Sequence, residues 1–564
     1  SGGNYNTVVG DEAGTALTTG DNNVAIGFEA LTTEDANGFN TAVGFRALKT
    51  LNAGTDSYNT ALGYQTGLSL TTGIQNVLLG ATSGDALTDA DYNIAIGVEA
   101  LGSDTKGNKS VAIGYAALFD QNFTSSTDTH NTAVGYTAGT NITTGVNNTL
   151  IGSLAGDALT DADDNVAIGL FALTTDTQGS RSVAVGSSAL HTQNFSSATN
   201  SYNTAVGFQA GYSVTTGIQN TLIGGLAGTK LTDADYNVAV GVGALDLDTK
   251  GSKSTAIGYD ALSVQNFTSS TDSHNTAVGY NAGAAVTTGT SNTLIGSGAG
   301  DSITTGAGHV LIGEATGTSI TTNNHNTFVG RNVGTSTTGG QNTFVGCSNG
   351  STGSTGHYIT TGTKNTIIGA FSGNQGNLDI RTSSNNVVLS DGDGNVRSVC
   401  DSNGSWELSD NNLNSTLGDR LNIYGRIVGS TQFGISVAGN ANSYAQYAMR
   451  FYDSYGSSVV GSITFNTSST TYATSSDYRL KENVVDMTGA IDRVKQLFPK
   501  RFNFVIDETN TLVDGFMAHE AQTVVAEAVT GSHNEVDDNG DAVMQGIDQS
   551  KLVPLLTGAL KEAI

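Results

Sequence analysis

Five residues, Asn59-Thr60-Ala61-Leu62-Gly63, constrain this chain more than anything else in it. They recur as Asn131-Thr132-Ala133-Val134-Gly135, Asn203-Thr204-Ala205-Val206-Gly207 and Asn275-Thr276-Ala277-Val278-Gly279, each 72 residues after the last. Looser copies fill the intervals. The closing glycines number 21, from Gly10 to Gly369, and from Gly63 to Gly279 their steps run 17, 17, 17, 21 three times over. A strict short period decides the fold before local propensity does.

The residue before each closing glycine is Val, Ile or Leu, and the residue two before that is mostly Thr or Val. Alternation of this kind, rich in β-branched side chains and ending in a glycine turn, predicts a very short strand. A unit of about 17 residues cannot bury an apolar face alone, but units stacked on one another can. The expected product is a parallel β-solenoid of 21 coils, a rod of roughly 100 Å at one strand spacing per coil. The pentad's middle residue is mostly Ala, with Leu78, Leu150, Leu222 and Leu294 again 72 apart. So thin an interior suggests that identical chains share it, and three copies are expected.

Asn opens 17 of the 21 pentads; Ser110, Ser182, Ser254 and His309 replace it in the others. Stacked coils align these side chains, so an amide ladder is one reading. A residue tolerant of awkward backbone angles in a turn is the other.

Length alone, 564 residues, suggests several globular domains, and the repeat overrides that. A net charge of −27 argues against nucleic-acid binding, which needs a basic footprint. No run of 18 apolar residues predicts a membrane span. Cys347 and Cys400 form neither a disulfide framework nor a metal-ligand pattern, and no cofactor or metal is expected. The chain opens within a repeat and without a signal peptide, as a fragment would.

Three regions follow in order: a solenoid shaft over 1–373, a β-rich neck or tip over 374–475, and a small α+β domain over 476–564. In the shaft, the longer units carry Phe123, Phe195 and Phe267 in insertions expected to be surface lobes on every fourth coil. In the neck, Asn386-Val387-Val388-Leu389 reads as a last degenerate coil. Asp391-Gly392-Asp393-Gly394-Asn395 begins like a calcium loop but lacks its distal Glu, and a hairpin turn is the better reading. Trp406 follows, then Tyr444, Tyr447, Phe451, Tyr452 and Tyr455. Such aromatics either bind sugars or fill a β-prism core, and the core is favoured. Val459–Phe465 alternates like a strand. In the last region, Ile491, Val494, Leu497 and Phe498 have helical spacing. A second helix is expected from Ala518 to Val529, and a third from Leu552 to Ile564, capped by Asp548 or Ser550. Phe502–Val505 and the turn Asp537-Asp538-Asn539-Gly540 suggest a small sheet.

Two resemblances carry function. Ser110-Val111-Ala112-Ile113-Gly114 and its relatives over about residues 4–373 resemble the head repeats of trimeric autotransporter adhesins. That implies a left-handed trimeric β-roll. The stretches Ser475-Ser476-Asp477-Tyr478-Arg479-Leu480-Lys481, Asp514–Glu520 and Ile547–Leu556 resemble the C-terminal intramolecular chaperone of phage tail spikes and fibres, the endosialidase type. The resemblance implies a domain that trimerises, templates the stalk and then cuts itself off. It further implies that Ser476 is the nucleophile, Lys481 the base and Ser475–Ser476 the bond cut. His519 and Asp548 fall at positions read as structural. A lysine can act as base for a serine if burial or a positive neighbour lowers its pKa, and Arg479 is close in sequence. Family members continue past Lys561-Glu562 into a coiled-coil helix, whereas this sequence ends at Ile564.

The favoured expectation is a homotrimeric bacteriophage tail fibre in the virion. It would attach to a host glycan or protein, join other tail or baseplate proteins, and enter neither nucleic acid nor membrane. A bacterial surface adhesin would instead end in a membrane-anchor barrel. A polysaccharide-cleaving spike needs a carboxylate pair in a groove. Asp89/Asp91, Asp161/Asp163 and Asp233/Asp235 are the periodic candidates, and their Leu-Thr-Asp-Ala-Asp setting reads better as solvated turns.

Overall fold

A computed structural model describes residues 2–347, 353–376, 378–404, 406–408, 446–452, 459–465, 470–474, 476–505, 509–536, 540 and 542–564. The chain divides into two compact units, Ser1–Leu417 and Gly418–Ile564.

The first unit is the expected mostly-β solenoid. Twenty-two strands, from Thr7–Val9 to Val387–Ser390, pair in parallel with their counterparts one coil away. The register is strict: Ala205 lies beside Leu222, and Leu222 beside Ala239. Val387–Ser390 extends the ladder as the degenerate coil. Antiparallel strands Val396–Cys400 and Trp406–Leu408 then add to the same sheet. Asp391–Asn395 is accordingly the hairpin turn, with the Asp391 carboxylate accepting from the backbone N–H groups of Asp393 and Asn395.

Each strand is three residues long because the chain must turn at both ends. At the closing glycine φ is strongly positive, 141° at Gly207, where a Cβ would lie 2.4 Å from the Gly224 carbonyl oxygen. Only a residue without a side chain fits there. At the other end, the residue before the Asn is left-handed, as at Tyr58, Gln75 and Gln219.

The pentad Asn is not itself left-handed, which removes the turn reading. It is a rung-to-rung connector instead. The Asn220 Oδ1 accepts from the Asn237 N–H at 3.0 Å, its Nδ2 donates to the Ala234 carbonyl at 2.8 Å, and its own N–H donates to Asn203 Oδ1 at 2.9 Å. Direct amide-to-amide contacts occur only at some rungs, such as Asn76 Nδ2 to Asn59 Oδ1 at 3.1 Å. The ladder therefore runs mainly from side-chain oxygen to the next backbone N–H. Buried in every coil after the first, it satisfies polar groups that would otherwise be stranded.

Where Ser replaces Asn, the side chain is too short for this, and the following longer unit supplies the missing parts. Gln121 Nε2 donates to Ser110 Oγ at 2.9 Å and to Asp104 Oδ2 at 2.6 Å, while Gln121 Oε1 accepts from Asn131 Nδ2 at 2.9 Å. The same network recurs around Gln193 and Gln265. Asp104 and Asp176 are fully buried in it, and burial pushes their carboxyls up. The longer units also hold two-residue strands that pair with the coil before, Thr127–Asp128 with Gly107–Asn108. Phe123, Phe195 and Phe267 are buried beneath them rather than displayed.

The apolar interior is enclosed within each coil of a single chain. From the second strand on, the middle residues of the strands and a second row, including Leu70, Leu87, Ile142 and Leu159, are fully buried. The interior widens toward the end of the unit through Leu311, Phe328, Phe344 and Ile367, with Phe328 and Phe344 stacked at 4.6 Å.

In the second unit, Gln446–Tyr452, Val459–Phe465 and Thr470–Thr474 form an antiparallel sheet. Tyr444, Tyr455 and residues 537–539 of the expected turn lie outside the described residues. Three helices follow: α1 (Ala490–Val494), α2 (Ala518–Gln522) and α3 (Leu552–Ala563). The expected helix over Ala518–Val529 is thus shorter. The run Thr523-Val524-Val525 is β-branched and poorly suited to a helix; a 3-10 turn at Ala526–Ala528 and a strand at Val529–Thr530 replace its second half. Lys500–Phe502 pairs with Val513–Gly515. Ala490, Leu497, Ala521, Val525, Leu552 and Leu555 make a small core.

Candidate self-processing site

Ser476 and Lys481 are five residues apart, and a turn closes that gap. Asp477 begins it: its carboxylate accepts from the Arg479 N–H at 2.8 Å and caps the 3-10 turn Tyr478–Leu480. The Lys481 N–H then donates to the Tyr478 carbonyl at 3.0 Å. This folds the lysine back, and its Nζ donates to Ser476 Oγ at 2.8 Å. The spacing in the sequence and the turn thus bring the two expected site residues together. Ser475, on the other side of the expected scissile bond, lies outside the described residues.

Arg479 takes a different place from the one expected. Its guanidinium forms a two-point pair with Asp477, Nε at 2.9 Å and Nη2 at 2.7 Å. These side-chain hydrogen bonds from Arg479 are the chief reason the Asp477 carboxyl lies below its usual range. The arginine therefore stabilises the turn that carries the dyad. Both Ser476 and Lys481 are exposed. In this geometry the lysine donates to the hydroxyl, whereas a general base must present a lone pair to it.

His519 and Asp548 stand apart from the dyad in role. His519, on α2, stacks on His533 with ring centroids 4.4 Å apart. Asp548 caps the turn Gln549–Lys551, accepting from the Ser550 N–H at 3.0 Å and from its hydroxyl at 2.6 Å. A further carboxylate, Glu562 on α3, accepts from the N–H groups of Ala490 and Ile491 at 2.9 Å and so caps α1 from 72 residues away. Those bonds, Ile491's first, hold the Glu562 carboxyl below its usual range. No local pattern in the sequence announces this cap. The shaft acids Asp91, Asp163 and Asp235 each accept a backbone N–H from the preceding coil at 2.8 Å, those of Ile74, Val146 and Ile218, as turn residues do.

Fold and site together define a class: a long parallel β-solenoid in a chain whose C-terminal α+β segment, from residue 476, opens with a hydrogen-bonded Ser–Lys pair. Residues 476–530 match the family described as chaperone of endosialidase. The match begins at Ser476, takes in Lys481 and the segment Asp514–Glu520, and ends before Asp548 and α3. No curated protein and no solved structure matches the chain.

Proposed function

We propose that this protein is the subunit of a homotrimeric bacteriophage tail fibre that attaches to a host-surface glycan or protein. On this reading its C-terminal domain templates assembly and then releases itself by one cut between Ser475 and Ser476. The observation that carries the reading is the chaperone-of-endosialidase match starting at Ser476, C-terminal to a solenoid of non-local strand pairs. Parallel pairing across coils forms slowly and leaves edges exposed while it forms, so a template is useful to such a shaft.

Trimerisation has support in the second unit. Its own core is small, yet Val484, Val485, Phe504, Val505 and Met544 are exposed. On α3, Leu552 and Leu555 face that core, while Val553, Leu556 and Leu560 lie exposed on another side. Their 3-4 spacing is that of a helix-to-helix seam.

The proposed cut requires that water be removed from the dyad. Burial disfavours a charged amine, so assembly that covered the dyad would turn a donor into a base. Ser476 Oγ then attacks the carbonyl carbon of Ser475, passing its proton to the lysine. The C–N bond breaks, the amine takes that proton, and an ester joins residues 475 and 476. Water cleaves the ester, leaving a carboxylate on Ser475 and the hydroxyl and amine on Ser476. The product shaft is a structural protein. No cofactor is needed, and no activity on other substrates is invoked. An adhesin or a glycan-cleaving spike has no comparable support, since the shaft acids are bound up in turns.

Intact mass tests the proposal. The full chain should lose the segment from Ser476 onward, and Ser476→Ala and Lys481→Ala should each retain it. Equal full-length masses for all three would defeat the self-cleavage.

A further inference from the structure

Beyond each closing glycine the chain turns, and up to Gly346 the first residue after the glycine lies at the surface in every coil. That residue is aromatic in runs: Phe28, Phe45 and Tyr64, then Tyr115 and Tyr136, then Phe208 alone, then Tyr259 and Tyr280. Within a run the rings stack. Phe45 lies on Tyr64 at 5.2 Å, and Tyr115 on Tyr136 and Tyr259 on Tyr280 each at 5.4 Å. Every run ends alike: the next coil carries Ala81, Ser153, Gly225 or Ser297, 72 residues apart, and the stack stops. At Gly225 an added Cβ would meet nothing within 4 Å. The last rings, Tyr64, Tyr136, Phe208 and Tyr280, are 53–58% exposed, against 46% for Tyr115 and 49% for Tyr259 behind them. One coil further on, Val98, Leu170 and Val242 stand across the first three gaps, and Glu314 across the fourth.

We propose that each of these four gaps is a slot for one sugar ring, and that the shaft takes up neutral glycan through them. This rests on the reading of the protein as a host-attachment fibre, and it names the site and the class of receptor. Two rung spacings, about 9.6 Å, separate the last ring from the residue across the gap. One six-membered ring occupies about one such spacing, as the Tyr115–Tyr136 stack shows. A slot therefore admits a single ring and shuts out a helix, which is about 10–12 Å across. The C–H groups on a sugar's face carry slight positive charge and meet the negative face of a π system. Its hydroxyls need donors and acceptors at the rim. Gln65, Thr137, Gln209 and Asn281 follow the four last rings and bring such groups there.

Charge and direction narrow the ligand further. The chain carries a net charge of −27, and Glu99 and Glu314 stand at the edges of the first and fourth slots. A nucleobase on its phosphate backbone, or an acidic sugar, would be repelled; a neutral sugar is not. The rings stack along the shaft, so a sugar ring stacked on them lies across it. The glycan chain accordingly crosses the shaft instead of running along it. Successive slots are four coils, or about 19 Å, apart. They engage separate strands of a dense glycan surface, where weak single contacts gain strength by multivalency.

The test is affinity electrophoresis of the full chain through native gels holding dextran, galactomannan, β-glucan or mannan, all neutral, or alginate, which is acidic. Native mass is read beside it. One variant carries Tyr64→Ala, Tyr136→Ala, Phe208→Ala and Tyr280→Ala and loses the platforms. A second carries Ala81→Tyr, Ser153→Tyr, Gly225→Tyr and Ser297→Tyr and fills each slot with a ring of its own. At least one neutral polymer should slow the parent chain, and in both variants that retardation should fall about tenfold or more, since four contacts are lost at once. Undiminished retardation of either variant would overturn the slots while leaving glycan attachment elsewhere on the chain. Retardation by alginate alone would do the same. If no polymer slows the parent, the slots fail and so does the glycan branch of the attachment reading, with attachment to a protein spared. A fall in native mass in the alanine variant would make the rings a contact between copies and so defeat them as ligand sites.

Discussion

His309 offers the sharpest test of how one rung is held to the next. It occupies an Asn position and is fully buried. Its Nε2 lies 2.7 Å from the Asn323 carbonyl, and its Nδ1 is 3.2 Å from the Asn326 N–H. The network assigns the neutral tautomer with the proton on Nε2. In that form the ring donates and accepts where an Asn amide would, so it is an Asn mimic only while uncharged. A second proton would set an Nδ1–H against the Asn326 N–H. Burial, the main cause, lowers the His309 pKa from the usual 6.5 to about 4; His325 adds to the lowering and the Asn323 bond opposes it. The sign is fixed by linkage. Above pH 6.5 folded and unfolded forms are both neutral and nothing changes. Between 6.5 and 4 the unfolded chain takes a proton that the folded rung refuses, so stability falls as pH falls. At 1.36 kcal/mol per pH unit the loss is about 2 kcal/mol at pH 5 and about 3 kcal/mol in full. Coupling in a repeat protein is to nearest neighbours, so the effect should be local. Hydrogen exchange at the amides of Asn292–Asn326, corrected for the intrinsic effect of pH, should rise about 30-fold between pH 7.5 and pH 5. In His309→Asn that rise should vanish. Equal loss of protection in wild type and His309→Asn would refute the neutral-mimic reading.

Four other substitutions test the same connections. Asn220→Ala leaves the Asn237 N–H and the Ala234 carbonyl buried without partners, at about 1–3 kcal/mol each; exchange at those two rungs should accelerate 100-fold or more. Asn220→Asp keeps the acceptor but sets a carboxylate oxygen against the Ala234 carbonyl, so it should cost at least as much, whereas a mere turn residue would tolerate Asp. Gln121→Leu removes the donor to Asp104 Oδ2 and should cost about 1–3 kcal/mol or more, measured as faster exchange at Gly107 and Phe123. Nature has made the corresponding change once: in the coil of Glu34 the matching residue is Leu51, and Glu34 Oε2 is buried without a hydrogen bond. There Glu34→Gln should be neutral or stabilising by the same assay.

The shaft was legible because its constraint is local and repeated. A glycine that cannot carry a Cβ and a buried Asn that links rungs leave marks at every period. The three Ser positions and the 21-residue steps share one period in the sequence, but why they travel together needed coordinates: Gln121 fills the space that Ser110 leaves. The alternation also marked the middle Ala and Leu residues as the lining of a thin interior, and from the second strand on they are buried. The Ser476–Lys481 pairing followed from motif and spacing, since a single turn joins them. The Glu562 cap on α1 did not, because contacts across 72 residues leave no periodic trace.

The proposed role of the C-terminal domain stands or falls on whether it is needed to fold the shaft and then dispensable. Residues 1–475 expressed alone should be compared with the uncut Ser476→Ala chain and with the cleaved wild-type shaft, by sedimentation and β-sheet circular dichroism. We expect the truncated chain to aggregate or stay unfolded, and the other two to share one trimeric, strand-rich shaft. A truncated chain that reaches the same folded trimer in the same yield would contradict an assembly template at this end of the molecule.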